Sequence, residues 1–186
     1  MRGFSLLELL IVLAVLGVAL MLSSPDLRSW QREARSEAVL VELARLLAEA
    51  RSTAINQGVP VTLCASATPP ACDASWQSAL LLFLDHDGDR VFERSEGDRV
   101  LRHWVPDDAS GKLLLRSFPA RSSLQFLPNG FTDGESGNFT WCPRTADARA
   151  IRQLIFTRSG RTRLAQDRDG DGVREGADGK PLSCTS

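Results

Sequence analysis

Residues 1–22 have the sequence MRGFSLLELLIVLAVLGVALML, and this stretch decides how the chain is organised. From Leu9 to Leu22 every residue is apolar or glycine, and Glu8 is the only acid in the segment. As a helix at about 1.5 Å per residue, residues 4–22 extend about 28 Å, which is enough to cross the hydrocarbon core of a bilayer. No small-residue cleavage site of the A-x-A type follows Leu22. We therefore expect residues 4–22 to be a retained transmembrane helix rather than a signal peptide that is removed.

Glu8 is a charged residue in a segment that otherwise favours lipid. A carboxylate at the centre of a bilayer costs roughly 2.5–3.5 kcal/mol on insertion scales. An opposite charge nearby offsets this cost because it stabilises the ionised form. Glu8 is therefore a candidate functional residue, and its partner is expected to carry a positive charge.

The hexapeptide Gly3-Phe4-Ser5-Leu6-Leu7-Glu8 resembles the prepilin-peptidase site of type IV pilins and of type II secretion pseudopilins. The resemblance implies cleavage after Gly3, N-methylation of Phe4, and pairing of Glu8 with the terminal amine of a neighbouring subunit. It also implies the partners: a prepilin peptidase, other pilins or pseudopilins in a filament, and the bacterial inner membrane. The chain would cross that membrane once, with its C-terminal domain in the periplasm, and would be extracted into a pilus or pseudopilus.

A second helix is expected from Ser29 to Gln57, directly after the apolar segment. Its apolar side chains recur at steps of three and four residues and form one stripe, made of Val39, Leu43, Leu46, Leu47, Ala50 and Ala54. Gly58 and Pro60 end this helix. We expect the two helices to form one long rod, bent near Pro25, whose stripe lies across a sheet.

Beyond residue 58 the pattern changes to short apolar runs that are separated by turn residues such as Asn129-Gly130 and Ser159-Gly160. Candidate strands lie at 59–64, 79–84, 99–104, 112–117, 124–127, 139–142, 152–156 and 162–164. A long helix followed by antiparallel strands predicts an α+β fold, and with the resemblance a type IV pilin-like one. The expected segments are a leader (1–3), a transmembrane helix (4–22), its amphipathic continuation (23–57), a periplasmic β-sheet domain (58–164) and a C-terminal tail (165–186).

Three further stretches are similar to the GspH/FimT family of minor pilins and pseudopilins. They are the junction of the helix with the first strand (49–64), Trp76 with the strand and acidic loop at 82–89, and the late strand pair at 155–163. The resemblance implies a subunit of a type IV pilus or of a type II secretion pseudopilus, and not a catalyst. Some pilus members bind DNA through a Gly-Arg-x-Arg motif, which matches residues 160–163. A structural subunit and a DNA-binding subunit both stay open.

The late strand pair is rich in arginine. If residues 160–163 form a strand, Arg161 and Arg163 lie on one face, because residues i and i+2 point the same way, and Arg158 lies just across the turn. Guanidinium groups suit phosphate oxygens. No aromatic side chain is interleaved, so the predicted contact with double-stranded DNA is to the phosphate backbone and independent of sequence. The alternative is a solvated hairpin edge whose charges discourage aggregation.

Residues 167–178 resemble a calcium-binding loop. Asp167, Asp169, Asp171 and Asp178 occupy positions 1, 3, 5 and 12, with a carboxylate at position 9 and Gly172 at position 6. No helices are expected to flank the loop, so it would not be a true EF-hand, and the alternative is a polar turn in the tail. A weaker candidate consists of Asp85, Asp87, Asp89 and Glu96. No cofactor is required by the predicted function, and calcium is the one candidate.

Four cysteines allow three pairings. Cys64 and Cys72 flank a short loop and are expected to pair, which leaves Cys142 to bind Cys184 and hold the tail. A domain outside the cytoplasm retains such bonds. The cysteine spacings match no common zinc pattern.

An enzyme is not expected. The chain has two histidines and four cysteines, and no nucleophile with its base is recognisable. The net charge of −1 favours no particular partner.

Overall fold

A computed structural model describes the protein at residues 5–22, 24–66, 68, 71–72, 76, 79–106, 111–145 and 147–184. Two helices come first, α1 (Leu6–Leu22) and α2 (Ser24–Gln57). The strands are β1 (Val61–Ala65), β2 (Leu80–Leu84), β3 (Arg99–Trp104), β4 (Gly111–Phe118), β5 (Ser123–Phe126), β6 (Ser136–Pro143), β7 (Arg152–Phe156) and β8 (Thr162–Leu164). Short 3-10 helices occupy Arg94–Glu96 and Ala148–Ala150. The predicted leader and Phe4 lie outside the described residues.

The eight strands form two antiparallel sheets of four, where one sheet was predicted. The first sheet has the order β3-β2-β1-β5 and the second the order β4-β6-β7-β8. Each predicted strand is present, so the α+β fold with a long helix on antiparallel strands is confirmed. The largest difference in length is at β6, which begins three residues before the predicted strand because Ser136 and Asn138 pair with Phe118 and Arg116 of β4.

Helix α2 packs on strands of both sheets. Its buried positions follow the 3.6-residue period of a helix and consist of Ser36, Leu40, Leu43, Leu46, Leu47, Ala50 and Ala54. Val39, which was predicted in the stripe, lies at its edge and is only partly buried, and Leu40 takes its place. The stripe shares one core with Leu63 of β1, Phe139 and Trp141 of β6, and Phe156 of β7. Helix and sheets thus bury a single hydrophobic surface.

Ion pairs fix the N-terminal half of α2. The Arg152 guanidinium, at 4% exposure, donates to Glu37 at 2.8 Å and to Glu33 at 3.2 Å. Arg174 of the tail reaches the same Glu37 at 3.3 Å, and Arg32 pairs with Asp147 at 3.2 Å. A buried guanidinium is tolerated only with such partners, so these contacts set where the helix crosses β7.

A junction at the C-terminal half of α2 joins the helix to both sheets. Arg51 Nε donates to the carbonyl of Gly130 at 3.0 Å, and the Thr132 amide donates to the carbonyl of Arg158. A Cβ on Gly160 would lie 2.3 Å from the Gly130 oxygen, and the φ of Gly160 is +71°. Only glycine fits there. The turn before β8 is therefore fixed against the loop that follows β5.

The tail after β8 folds back over the outer face of the second sheet. Phe139 and Trp141 of β6 point to the core, so Thr140 and Cys142 point outward. Tail residues 176–178 and 180–183 lie over this face and enclose a cavity of about 360 Å³ with it. Leu182 packs on Ile151 and Ala165. The tail is thus a third layer of the domain.

Helix α1 extends from the domain and has 17 residues. Among the described residues, no helix is both long and apolar enough to cross a membrane. The segment that was predicted to form one long rod consists of the helices α1 and α2. Ser23, which lies between them in sequence, is not among the described residues.

Replacing Leu43 by alanine should cost about 2–5 kcal/mol of stability, because Leu43 is fully buried between α2 and the sheets. Leu27→Ala is the matched control on the same helix, since Leu27 is 56% exposed and should change stability by less than about 0.5 kcal/mol. Urea unfolding of the full-length protein in detergent, followed by tryptophan fluorescence, measures both. Equal destabilisation of the two variants would contradict the described packing.

Candidate functional site

The first candidate surface is helix α1 itself. Each large apolar side chain from Leu6 to Val18 is more than half exposed, and Leu6 is 78% exposed. Glu8 is exposed and makes no side-chain hydrogen bond or ion pair with the described residues. The helix begins at Leu6, and the amides of Glu8 and Leu9 donate to the carbonyl of Ser5. A long apolar surface with one carboxylate that is unpaired among the described residues is thus exposed.

The second candidate surface is the hairpin of β7 and β8. Arg158, Arg161 and Arg163 are all exposed, and none of the three side chains is paired with a described residue. Arg163 stands opposite Ile155 in the β7–β8 ladder, and Thr162 stands opposite Phe156. Arg161 comes just before β8, so only Arg163 lies in the strand ladder, and the shared face of Arg161 and Arg163 stays a prediction.

The structure brings Arg51 to this hairpin, which sequence reasoning missed. A groove of about 550 Å³ lies between the end of α2 and the turn before β8, and Arg51, Ile55 and Arg161 line it. Arg163 does not line the groove. Arg51 precedes the predicted motif by over a hundred residues, so the sequence carries no local signal of this proximity.

The third candidate site is the acidic loop after β8. Asp167, Asp169 and Asp171 come together as predicted, with a carboxylate oxygen from each lying within 4.8 Å of the others, and the fourth member of this group is Glu175. Asp178 is not in the group, which corrects the prediction. Its side chain instead accepts a hydrogen bond from the Lys180 amide at 3.2 Å, in the turn before the tail returns to the sheet.

The second acidic loop, after β2, brings together Asp85, Asp87 and Asp89. Asp85 is fully buried, and its carboxylate accepts from Thr62 Oγ1 at 2.6 Å and from Gln125 Nε2 at 2.8 Å. The amides of Gly88 and Arg90 donate to it as well. Burial raises the pKa of Asp85, and these hydrogen bonds oppose the rise. The carboxylate is thereby satisfied by the protein itself.

Glu96, which the sequence placed with this loop, lies beside Asp87. The hydrogen bond and the negative charge of Asp87 raise the pKa of Glu96 from its ordinary value of 4.5 to about 7. The same hydrogen bond lowers the pKa of Asp87. As the pH falls below about 7, Glu96 therefore takes up a proton, which it shares with Asp87 through this hydrogen bond.

Two disulfides are present, Cys64–Cys72 and Cys142–Cys184, with Cα–Cα separations of 5.6 and 5.8 Å. These are the pairs that the sequence predicts. The second bond joins the outward face of β6 to the end of the tail, 42 residues further along the chain. The acidic loop after β8 is thus held to the domain at both ends.

A long helix on antiparallel sheets, with an exposed apolar N-terminal half, defines a pilin-like protein. The fold is similar to two crystal structures of the type IV minor pilin FimU from Pseudomonas aeruginosa strain PAO1. The form in space group P65 is 21% identical with a TM-score of 0.51, and the match covers 70% of this chain and 92% of FimU. The form in space group P21 is 20% identical with a TM-score of 0.53, covering 76% and 93%. This likeness shows the fold.

The family model for the type II transport protein GspH matches residues 40–163, and a model for the prokaryotic N-terminal methylation motif matches residues 1–24. The chain therefore belongs to the GspH family. Its members are structural, non-enzymatic pseudopilins, and this chain is a minor pilin or pseudopilin of a type II secretion system or a type IV pilus. No curated protein sequence matches it.

The Asp87→Asn variant should lower the pKa of Glu96 toward 4.5, because the charge and the hydrogen bond that raise it are removed. Folded Glu96 holds its proton more tightly than unfolded Glu96, so its contribution to stability is present below pH 4.5 and is lost as the pH rises through about 7. An NMR titration of the side-chain carboxyl carbons measures the pKa directly. Asp89→Asn is the matched control and should leave the pKa of Glu96 nearer 7 than Asp87→Asn does. An unchanged pKa in Asp87→Asn would contradict the pairing.

Proposed function

We propose that the protein is an assembly or tip subunit of a type IV pilus or type II secretion filament. The observation that carries this proposal is helix α1, an exposed apolar helix whose Glu8 has no partner among the described residues. In a filament, neighbouring α1 helices cover these side chains, and the burial of apolar area supplies the driving force. Glu8 pairs with the terminal amine of the adjacent subunit and sets its register.

Processing and location follow from the same segment. Residues 1–24 match the methylation motif, which supports cleavage after Gly3 by a prepilin peptidase and methylation of Phe4. Before assembly the chain is held in the bacterial inner membrane by residues 4–22 in a single pass. The β-sheet domain (58–164) and the tail (165–186) then lie in the periplasm, where the two disulfides persist.

Gly3→Val should abolish processing, because the peptidase must accept backbone without a side chain at this position. The variant is expected to migrate as the uncleaved precursor on a gel, whereas the wild type migrates as the shorter mature chain. Normal maturation of the variant would contradict the processing site.

Glu8→Ala should leave membrane insertion intact and reduce incorporation into filaments, because the substitution removes a costly charge from lipid and also removes the group that sets the register. Glu42→Ala is the matched control, since exposed Glu42 pairs only with Arg45 of its own helix among the described residues. Immunoblots of sheared filaments and of membrane fractions measure both steps. Wild-type amounts of Glu8→Ala in the filaments would contradict the pairing role.

A second candidate function is binding of double-stranded DNA at the filament. Its support is that Arg158, Arg161 and Arg163 are exposed and paired with no described residue, so no ion pair must be broken when a phosphate binds. Arg51 lines the neighbouring groove and adds a fourth guanidinium to this surface. The contacts are made to phosphates, so binding is weak and independent of sequence.

Arg161→Gln combined with Arg163→Gln should weaken DNA binding and flatten the slope of log K against log salt concentration by about 0.9 for each phosphate that the variant no longer neutralises. Arg45→Gln combined with Arg102→Gln is the control, because it removes the same charge from residues that already pair with Glu42 and Glu49. Mobility-shift titrations of the full-length protein at several salt concentrations measure the slope. Equal binding by both double variants, or no binding by the wild type at low salt, would contradict the DNA-binding function. Assembly would then be the one function proposed.

A further inference from the structure

We propose that the loop 167–175 binds a calcium ion through Asp167, Asp169, Asp171 and Glu175. The observation that carries the proposal is Glu175. This side chain is 6% exposed, and its Oε1 is buried without a hydrogen-bond partner among the described residues. A buried carboxylate oxygen without a partner is costly. A cation at the centre of the loop would satisfy it.

The distances between the four carboxylates fit one ion. The offered oxygens of all four side chains lie within 4.8 Å of one another. Calcium binds oxygen at about 2.3–2.6 Å, so two oxygens on the same ion are at most about 5 Å apart. The four groups already have the spacing that a shared calcium requires.

Backbone amides hold the aspartates in this arrangement. Asp167 accepts from the amides of Gly170 at 2.7 Å and Gly172 at 2.9 Å. Asp169 and Asp171 accept from amides two residues further on. Each carboxylate oxygen has a second lone pair, so these hydrogen bonds orient the ligands and leave them able to bind a metal.

The charge of the loop is uncompensated. Among the described residues, none of the four carboxylates forms an ion pair. Arg174 points to Glu37 and to the carbonyl of Ala165, and Arg149 packs beside Gly172 without pairing with the acids. Four like charges within a few ångströms repel one another, and a divalent cation removes that repulsion.

The chemistry of the donors selects the ion. All four ligands are carboxylates, which hard cations prefer, and no nitrogen or sulfur is offered as zinc would require. Magnesium demands near-ideal octahedral geometry and retains its waters, whereas calcium accepts the irregular arrangement of an exposed loop.

The acidic loop after β2 differs from the loop 167–175, because its buried carboxylate has hydrogen-bond partners on both oxygens. Its buried member, Asp85, receives four hydrogen bonds, so both of its oxygens are satisfied without an ion. That loop therefore provides the matched control for the experiment.

The test is calcium titration into EDTA-treated full-length protein in detergent, read by calorimetry and by the melting temperature. The wild type is expected to bind one calcium with Kd of about 10⁻⁴ to 10⁻³ M, the range of extracellular modules, and to melt at a higher temperature in calcium. Asp169→Asn combined with Asp171→Asn keeps the turn-forming oxygens and should weaken binding at least tenfold. Glu175→Gln, which keeps the shape of the buried side chain, should do the same.

Asp87→Asn combined with Asp89→Asn should bind calcium as the wild type does. Absence of binding at millimolar calcium in the wild type would overturn the proposal. So would equal binding by the wild type, the Asp169/Asp171 double variant and Glu175→Gln, or a loss of binding confined to the Asp87/Asp89 double variant.

Discussion

The burial of the α2 stripe against both sheets is the interaction on which the other parts of the structure depend. Because strands β1, β6 and β7 all pack on this one helix, the two sheets share a single core. Arg152 fixes the helix at one end through Glu33 and Glu37, and Arg51 fixes it at the other through Gly130. With α2 held in this way, α1 is left outside the core with its apolar side chains exposed, which is the arrangement that a helix-to-helix assembly requires.

The sequence predicts the helices and strands well because their signals are local. Apolar side chains at steps of three and four residues mark α2, and turn residues separate the strands. The division into two sheets was not predictable, because β1 pairs with β5 across some sixty residues of chain and no local pattern encodes that pairing. The burial of Leu40 in place of Val39 was also not predictable. Adjacent apolar residues fit the helical period almost equally, and packing against the sheets determines which of them is buried.

In the candidate sites, too, groupings of residues close in sequence were predictable, and groupings that depend on tertiary contacts were not. Asp167, Asp169 and Asp171 are close in sequence, and their grouping was predicted. Glu175, the carboxylate at position 9 of the loop, joins them. The absence of Asp178 was not predictable, because Asp178 lies in the turn between Glu175 and Pro181, whose pairing is a tertiary contact. Arg51 joins the arginine hairpin only through the packing of α2 on the turn before β8. The sequence therefore identifies the acidic and arginine side chains that are candidates for a site. The tertiary contacts decide which of these side chains lie close together.

The bond between Cys142 and Cys184 closes a covalent ring that contains β7, β8 and the acidic loop. A protease that cuts the exposed chain once inside this ring, for example after Arg168, releases no fragment, because both new ends stay joined through the two sulfur atoms. A nicked molecule would stay in one piece and would separate into two bands only on a reducing gel. A subunit with one such cut in its outermost layer would also keep every residue covalently attached, so damage at the surface of the domain would not remove the tail from it.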